Sequence, residues 1–115
     1  MERRRVVVTG LGAINAIGHN VDETWKSIKD GVCGIAEITN YDTELTRVKI
    51  AGEVKDFNPA DYLDKKAVRK MDRFTQFGVI AAKEAFKDAA LNIEDIDADR
   101  FGVVVSSGIG GLGSI

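Results

Sequence analysis

The chain has 115 residues, 44% hydrophobic and 30% charged, and its 16 Lys and Arg against 18 Asp and Glu leave a formal charge of −2. Such a chain can bury roughly two-thirds of the surface it exposes when unfolded, enough for one core and not two. The near-neutral charge excludes a general attraction to nucleic acid. Apolar runs of three residues at 6–8 and 103–105 fall far short of the ~20 that a helical membrane span needs, and one cysteine excludes an internal disulfide or a multi-cysteine metal cage.

The opening Met1-Glu2-Arg3-Arg4-Arg5 imitates the charged head of a signal peptide, but Thr9, Gly10, Gly12, Asn15 and Gly18 interrupt the apolar stretch behind it, so a cytoplasmic chain is expected. Val6, Val7 and Val8, flanked by arginines and by Thr9-Gly10-Leu11-Gly12, have the pattern of a strand buried on both faces. Asn20 is placed to cap a helix over 21–30, with Glu23 completing an approximate capping box and Gly31 supplying the stop. Alternation at 47–50, continued through Ala51 to Val54, predicts a short peripheral strand. Asn58-Pro59 reads as an N-cap followed by proline at the first helical position, opening a short turn.

From Lys65 to Leu91 only Gly78 interrupts helical spacing. Phe74, Phe77, Ala81, Ala85 and Ala89 form an apolar stripe, which predicts one helix over 65–91 with Asn92 as its stop. The alanines lack bulk, so another backbone must come close to fill the space beside them. After an acidic connector at 92–100, residues 101–107 repeat the opening signature, a β-branched run leading into a glycine-rich segment. Two buried-type strands separated by helices imply an α/β fold, a mostly parallel or mixed sheet with helical cover.

Three constellations could carry chemistry. Gly108-x-Gly110-x-x-Gly113 satisfies the letter of a dinucleotide fingerprint, but confirmation needs a following helix, a further strand and an acidic residue about 20 positions on, and the sequence stops before any of them. These glycines are better read as tight turns and close backbone packing. Cys33 and His19 are the one nucleophile and base pair available, yet a helix of this length separates them by roughly 15 Å. Cys33 also follows a helix C-terminus, where the dipole opposes thiolate formation. No metal spacing is present, and no catalytic residue is assigned. Lys65, Lys66, Arg69, Lys70 and Arg73 share i, i+3 and i, i+4 relations on one helix flank, a solvated face or a dock for an acidic partner.

Arg4-Arg5-Val6-Val7-Val8-Thr9-Gly10-Leu11-Gly12, Lys55-Asp56-Phe57, Arg69-Lys70-Met71-Asp72 and Ser107-Gly108-Ile109-Gly110-Gly111-Leu112, taken in order, resemble the N-terminal part of the β-ketoacyl-(acyl-carrier-protein) synthase II family, condensing enzymes of bacterial fatty-acid synthesis. Asn15-Ala16 departs from the family pattern, which carries serine or threonine and then proline there. The resemblance implies a partial, incomplete thiolase-like fold, with residues 1–115 forming the N-terminal part of its first half and no separate domains within. It implies decarboxylative Claisen condensation of an acyl thioester with malonyl-carrier protein, with the catalytic cysteine and two histidines beyond Ile115, so that this chain alone is expected to be inactive. Lys66, Arg69 and Lys70 match positions that contact acyl carrier protein, and Ile109, with Gly108 and Gly110, matches the wall of the acyl pocket. The full-length family forms homodimers and uses no cofactor, metal, nucleic acid or membrane. A stand-alone carrier-protein dock is the main alternative, and a nucleotide-binding fragment the lesser one.

Overall fold

The computed structural model describes residues 2–114. Helix α1 spans Val21–Lys29, close to expectation, and both its ends are set by local chemistry. The Asn20 side chain accepts from Glu23 N at 2.8 Å, while the Glu23 carboxylate reaches back to His19 N at 2.8 Å, a capping box displaced by one residue. At the other end Gly31 adopts φ +68°. Gly31 N donates to Ile28 O at 3.2 Å and Val32 N to Ser27 O at 2.9 Å, the paired bonds of a Schellman stop.

The turn before α1 is built by the residue that departs from the family pattern. Asn15 Oδ1 accepts from Ile17 N at 3.0 Å and its Nδ2 donates to Thr24 Oγ1 at 3.0 Å, closing an Asx turn.

Strands β1 (Ile35–Glu37) and β2 (Ile50–Gly52) pair antiparallel, Ala36 opposite Ala51. The second falls within the predicted peripheral strand, whereas β1 carries no alternation long enough to predict. Glu53, just past β2, ties down the chain leaving β1. Its carboxylate accepts from Thr39 Oγ1 at 2.8 Å, Thr39 N at 3.0 Å and Asn40 N at 3.1 Å. The Thr39 hydroxyl leads in holding its pKa below the ordinary carboxylate value, against an opposing desolvation; the two backbone N–H groups and the charge of Lys55 add to the lowering.

A carboxylate whose folded pKa is depressed contributes stability that is present above its unfolded pKa and lost as pH falls through the folded one. Amide exchange at Thr39 and Asn40, corrected for intrinsic rate, is therefore expected to accelerate as pH drops below the ordinary carboxylate range. Glu53→Gln should remove that pH dependence. Protection that stays constant with pH in the parent chain would contradict the assignment.

The predicted helix over 65–91 is two helices. Asn58 caps a 3-10 turn over Pro59–Asp61, and Asp64 then caps α2, Lys65–Val68. Helix α3 begins only at Arg73 and runs to Asp88. No residue between 69 and 72 is a helix breaker, so the break is set from further along the chain. The side chain of Gln76, 8% exposed, donates Nε2 to Val68 O at 3.3 Å and Met71 O at 3.1 Å, taking up carbonyls that a continuous helix would have used. The C-terminus also comes earlier than expected. Ala90 takes φ +51°, and Leu91 N donates to Phe86 O while Ala90 N donates to Lys87 O, a Schellman stop on alanine. Asn92 instead caps a 3-10 turn, Ile93–Asp95.

The backbone that the alanine stripe requires is the glycine turn after the first β-branched run. A Cβ placed on Gly12 would overlap the carbonyl oxygen of Ala81, and one on Gly10 would overlap that of Ala85. Carboxylates of α3 fasten the same turn: Asp88 accepts from Leu11 N at 2.9 Å, and Glu84 accepts from Ala13 N at 2.9 Å and Val21 N at 2.8 Å. A phosphate would need those N–H groups, so this glycine turn is no anion cradle.

The two β-branched runs lie apart from the small sheet. Among the described residues neither 6–8 nor 103–105 joins a strand ladder, and Val6 and Val104 are 93% and 96% exposed. The expected parallel pairing is thus not formed between these two segments; the sheet present is the β1–β2 hairpin. The buried core consists of Leu63, Ile80 and Gln76. The accessible surface is 9895 Å², against about 6,200 Å² for a compact protein of this size. Large apolar side chains stand in that surface, Val6, Leu45 and Val104 each more than 90% exposed.

Candidate functional site

Lys65, Lys66, Arg69 and Lys70 are all exposed, on α2 and the turn after it. Among the described residues none of them has a carboxylate within ion-pair distance; the ion pair found there is Lys26–Asp30 on α1. The acidic neighbours are otherwise engaged. Asp64 accepts from Lys66 N at 3.3 Å, and Asp72 accepts from the Ser114 hydroxyl. Arg73, counted in the cluster from spacing, leaves it. Its Nη2 donates to Val54 O at 3.0 Å and its guanidinium lies 5.3 Å from both the Phe57 and Phe77 rings. The helix break at 69–72 explains the difference, because it rotates Arg73 away from the face that continuous helical spacing assigned to it.

The glycine-rich segment docks on the start of α3. Gly110 and Gly111 take φ +68° and +63°, the left-handed region that favours glycine. A Cβ on Gly110 would stand 2.8 Å from Phe74 Cζ, and one on Gly111 would stand 2.8 Å from Asp72 Oδ2. Gly108 has no neighbour within 4 Å of its Cβ position, and Ile109 is 75% exposed. A 3-10 turn, Leu112–Ser114, follows these glycines. Beside this segment an apolar groove of about 680 Å³ runs between α3 and residues 103–107, lined by Phe74, Gly78, Val79, Ala82, Phe86 and Val105.

The structure therefore joins two motifs that the sequence treats separately. Asp72, next to the basic turn, and Phe74 hold the backbone that carries Ile109. Spacing places Phe74 only in the core stripe; its contact with Gly110 lies 36 positions away and leaves no local signal. His19 and Cys33 are not brought together. His19 Nε2 lies 2.6 Å from Lys55 O and its ring stands edge-on to Phe57, whereas the exposed Cys33 thiol is 4.0 Å from Ile35 O. No helix among the described residues is long and apolar enough to cross a membrane.

Residues 3–114 match the family model described as the beta-ketoacyl synthase N-terminal domain. The chain belongs to the β-ketoacyl synthase family. It is 53% identical over 111 residues to the 3-oxoacyl-[acyl-carrier-protein] synthase 2 of Staphylococcus aureus strain N315, a match covering 96% of this chain and 27% of that protein. It is 45% identical over 112 residues to the synthase of the same name from Synechocystis sp., covering 97% and 27%. This β-ketoacyl synthase chain thus spans about a quarter of the length of the curated relatives it matches. Among solved structures it resembles the ishigamide ketosynthase/chain length factor, with a TM-score of 0.73 at 39% identity, covering 83% of this chain and 24% of that one. It also resembles AntDE:AntF, a type II polyketide acyl-carrier protein in complex with its ketosynthase bound to the hexaketide, with a TM-score of 0.62 at 31% identity, covering 84% and 25%. These neighbours show the partial α/β, thiolase-like architecture.

Proposed function

We propose that this chain is the docking and scaffold portion of a 3-oxoacyl-(acyl-carrier-protein) synthase II, acting in the cytoplasm as the first part of one thiolase-like half within a homodimer. The reaction extends an acyl chain by two carbons. The malonyl thioester loses CO2, the carbanion so formed attacks the acyl thioester carbonyl, and the thiolate leaves. The nucleophilic cysteine and the two histidines of that chemistry lie outside this chain, so residues 1–115 alone do not catalyse it. Lys66, Arg69 and Lys70 receive the acidic carrier protein, and Ile109, with Gly108 and Gly110, forms part of the acyl-chain wall. The acyl and malonyl thioesters are carrier-borne, and no cofactor takes part.

The observation that carries this reading is the unpaired basic turn fixed, through Asp72 and Phe74, beside the glycine segment: delivery surface and chain wall are one unit. A stand-alone docking module is disfavoured by the valines at 6–8 and 103–105, which are 69–96% exposed. The test is an exchange protein, in which this chain replaces the matching quarter of the S. aureus synthase. It is expected to condense malonyl- and acyl-carrier protein, while the 115-residue chain alone acquires no acyl group by mass spectrometry. An inactive exchange protein, or stoichiometric acylation of Cys33 in the short chain, would overturn the proposal.

A further inference from the structure

Ile109 makes few packing contacts within this chain, so its placement is decided by the backbone on either side of it. On its N-terminal side Gly108 is free of neighbours. On its C-terminal side Gly110 is held: Phe74 Cζ, Cε2 and Cε1 lie 2.8, 2.9 and 3.1 Å from the point where a Cβ would stand. The ring fills the space that any other residue at 110 would need for its side chain. Its left-handed φ leaves glycine the favoured residue there on conformational grounds as well. Asp72 repeats the arrangement one residue on, with Oδ2 against Gly111 and Oδ1 accepting from Ser114. Phe74 is the second residue of α3, the longest helix among the described residues, so its ring is carried on a rigid support.

We propose that Phe74 is a positioning residue for the acyl wall, fixing Gly110 and through it Ile109, and so helps set which acyl-chain lengths the site accepts. This rests on the reading of Ile109 as a wall residue. Removing the ring lets the 109–111 backbone settle toward α3 and changes the depth of the pocket. A defect in folding or in carrier docking would lower turnover of all donors alike; loss of positioning changes the ratio between them.

In the exchange protein, Phe74→Ala is expected to shift the ratio of kcat/KM for long against short acyl-carrier donors by about threefold or more. Phe74→Leu, which restores much of the volume, should shift it less and guards against a variant that fails to fold. Gly110→Ala should lose activity in the parent and lose less in the Phe74→Ala background, because the ring it strikes is gone. A uniform fall across donor lengths, or strictly additive effects of the two substitutions, overturns the inference. Ile109→Ala separates the two levels. If it shifts the ratio and Phe74→Ala does not, only the positioning role fails; if neither does, the acyl-wall reading itself fails.

Discussion

Replacing both Arg69 and Lys70 by glutamate in the exchange protein is expected to weaken acyl-carrier-protein binding on the order of 100-fold, because each reversal removes an attraction and adds a repulsion across the same contact. An exposed pair contributes modestly, about 0.2–1 kcal/mol, but two reversals together amount to about 2–3 kcal/mol, which corresponds to the stated loss. The cations are available for this because Asp64 and Asp72, the carboxylates next to them in sequence, are committed to Lys66 N and Ser114. The loss should fall mainly on the association rate and shrink in high salt, where the Debye length contracts from ~8 Å to ~3 Å. Lys29→Glu, a charge reversal on α1, should have little effect. Titration of labelled carrier protein at two salt concentrations decides the matter; unchanged affinity, or an equal loss from Lys29→Glu, would remove the docking role.

Helix α1 was legible because its signals are local: Asn20 and Gly31 act within one turn of the residues they cap. The basic turn was legible as composition but not as geometry. Nothing between Arg69 and Asp72 forbids a helix; the interruption comes from Gln76, a helix-compatible residue whose amide turns back onto Val68 and Met71. Spacing therefore counted Arg73 with the cations, when it belongs with Phe57 and Phe77. Strand β1 was missed because three residues paired across a long loop carry too short a period to read. The valine runs were legible as buried-type strands, although within this chain they are exposed. Neither run joins a strand ladder among the described residues, so a β-branched run flanked by glycines signals strand propensity and not the pairing itself. The alanine stripe has its partner, the Gly10–Gly12 turn, within the same 115 residues.

That contact carries the second large effect. Gly12→Ala is expected to destabilise the exchange protein by about 3 kcal/mol or more. The added methyl would overlap the Ala81 carbonyl oxygen and stand 2.8 Å from Ala81 C and 2.9 Å from Ala85 N, all helix backbone that cannot turn aside as a side chain would. Relief requires the turn to lift from α3. Lifting it breaks the bonds from Leu11 N to Asp88 and from Ala13 N to Glu84, each 2.9 Å, which takes a backbone donor from each of two charged acceptors and leaves Glu84 with Val21 N. Gly31→Ala serves as the comparison. Its site has a left-handed φ and open space, so it should cost about 1 kcal/mol from backbone conformation alone. Ala81→Gly should not rescue Gly12→Ala, since the collision is with the carbonyl and not with the methyl of Ala81. Thermal denaturation distinguishes the cases: a Gly12→Ala midpoint no lower than that of Gly31→Ala would mean that the glycine is kept for its conformation, and that the alanine face of α3 does not depend on so close an approach.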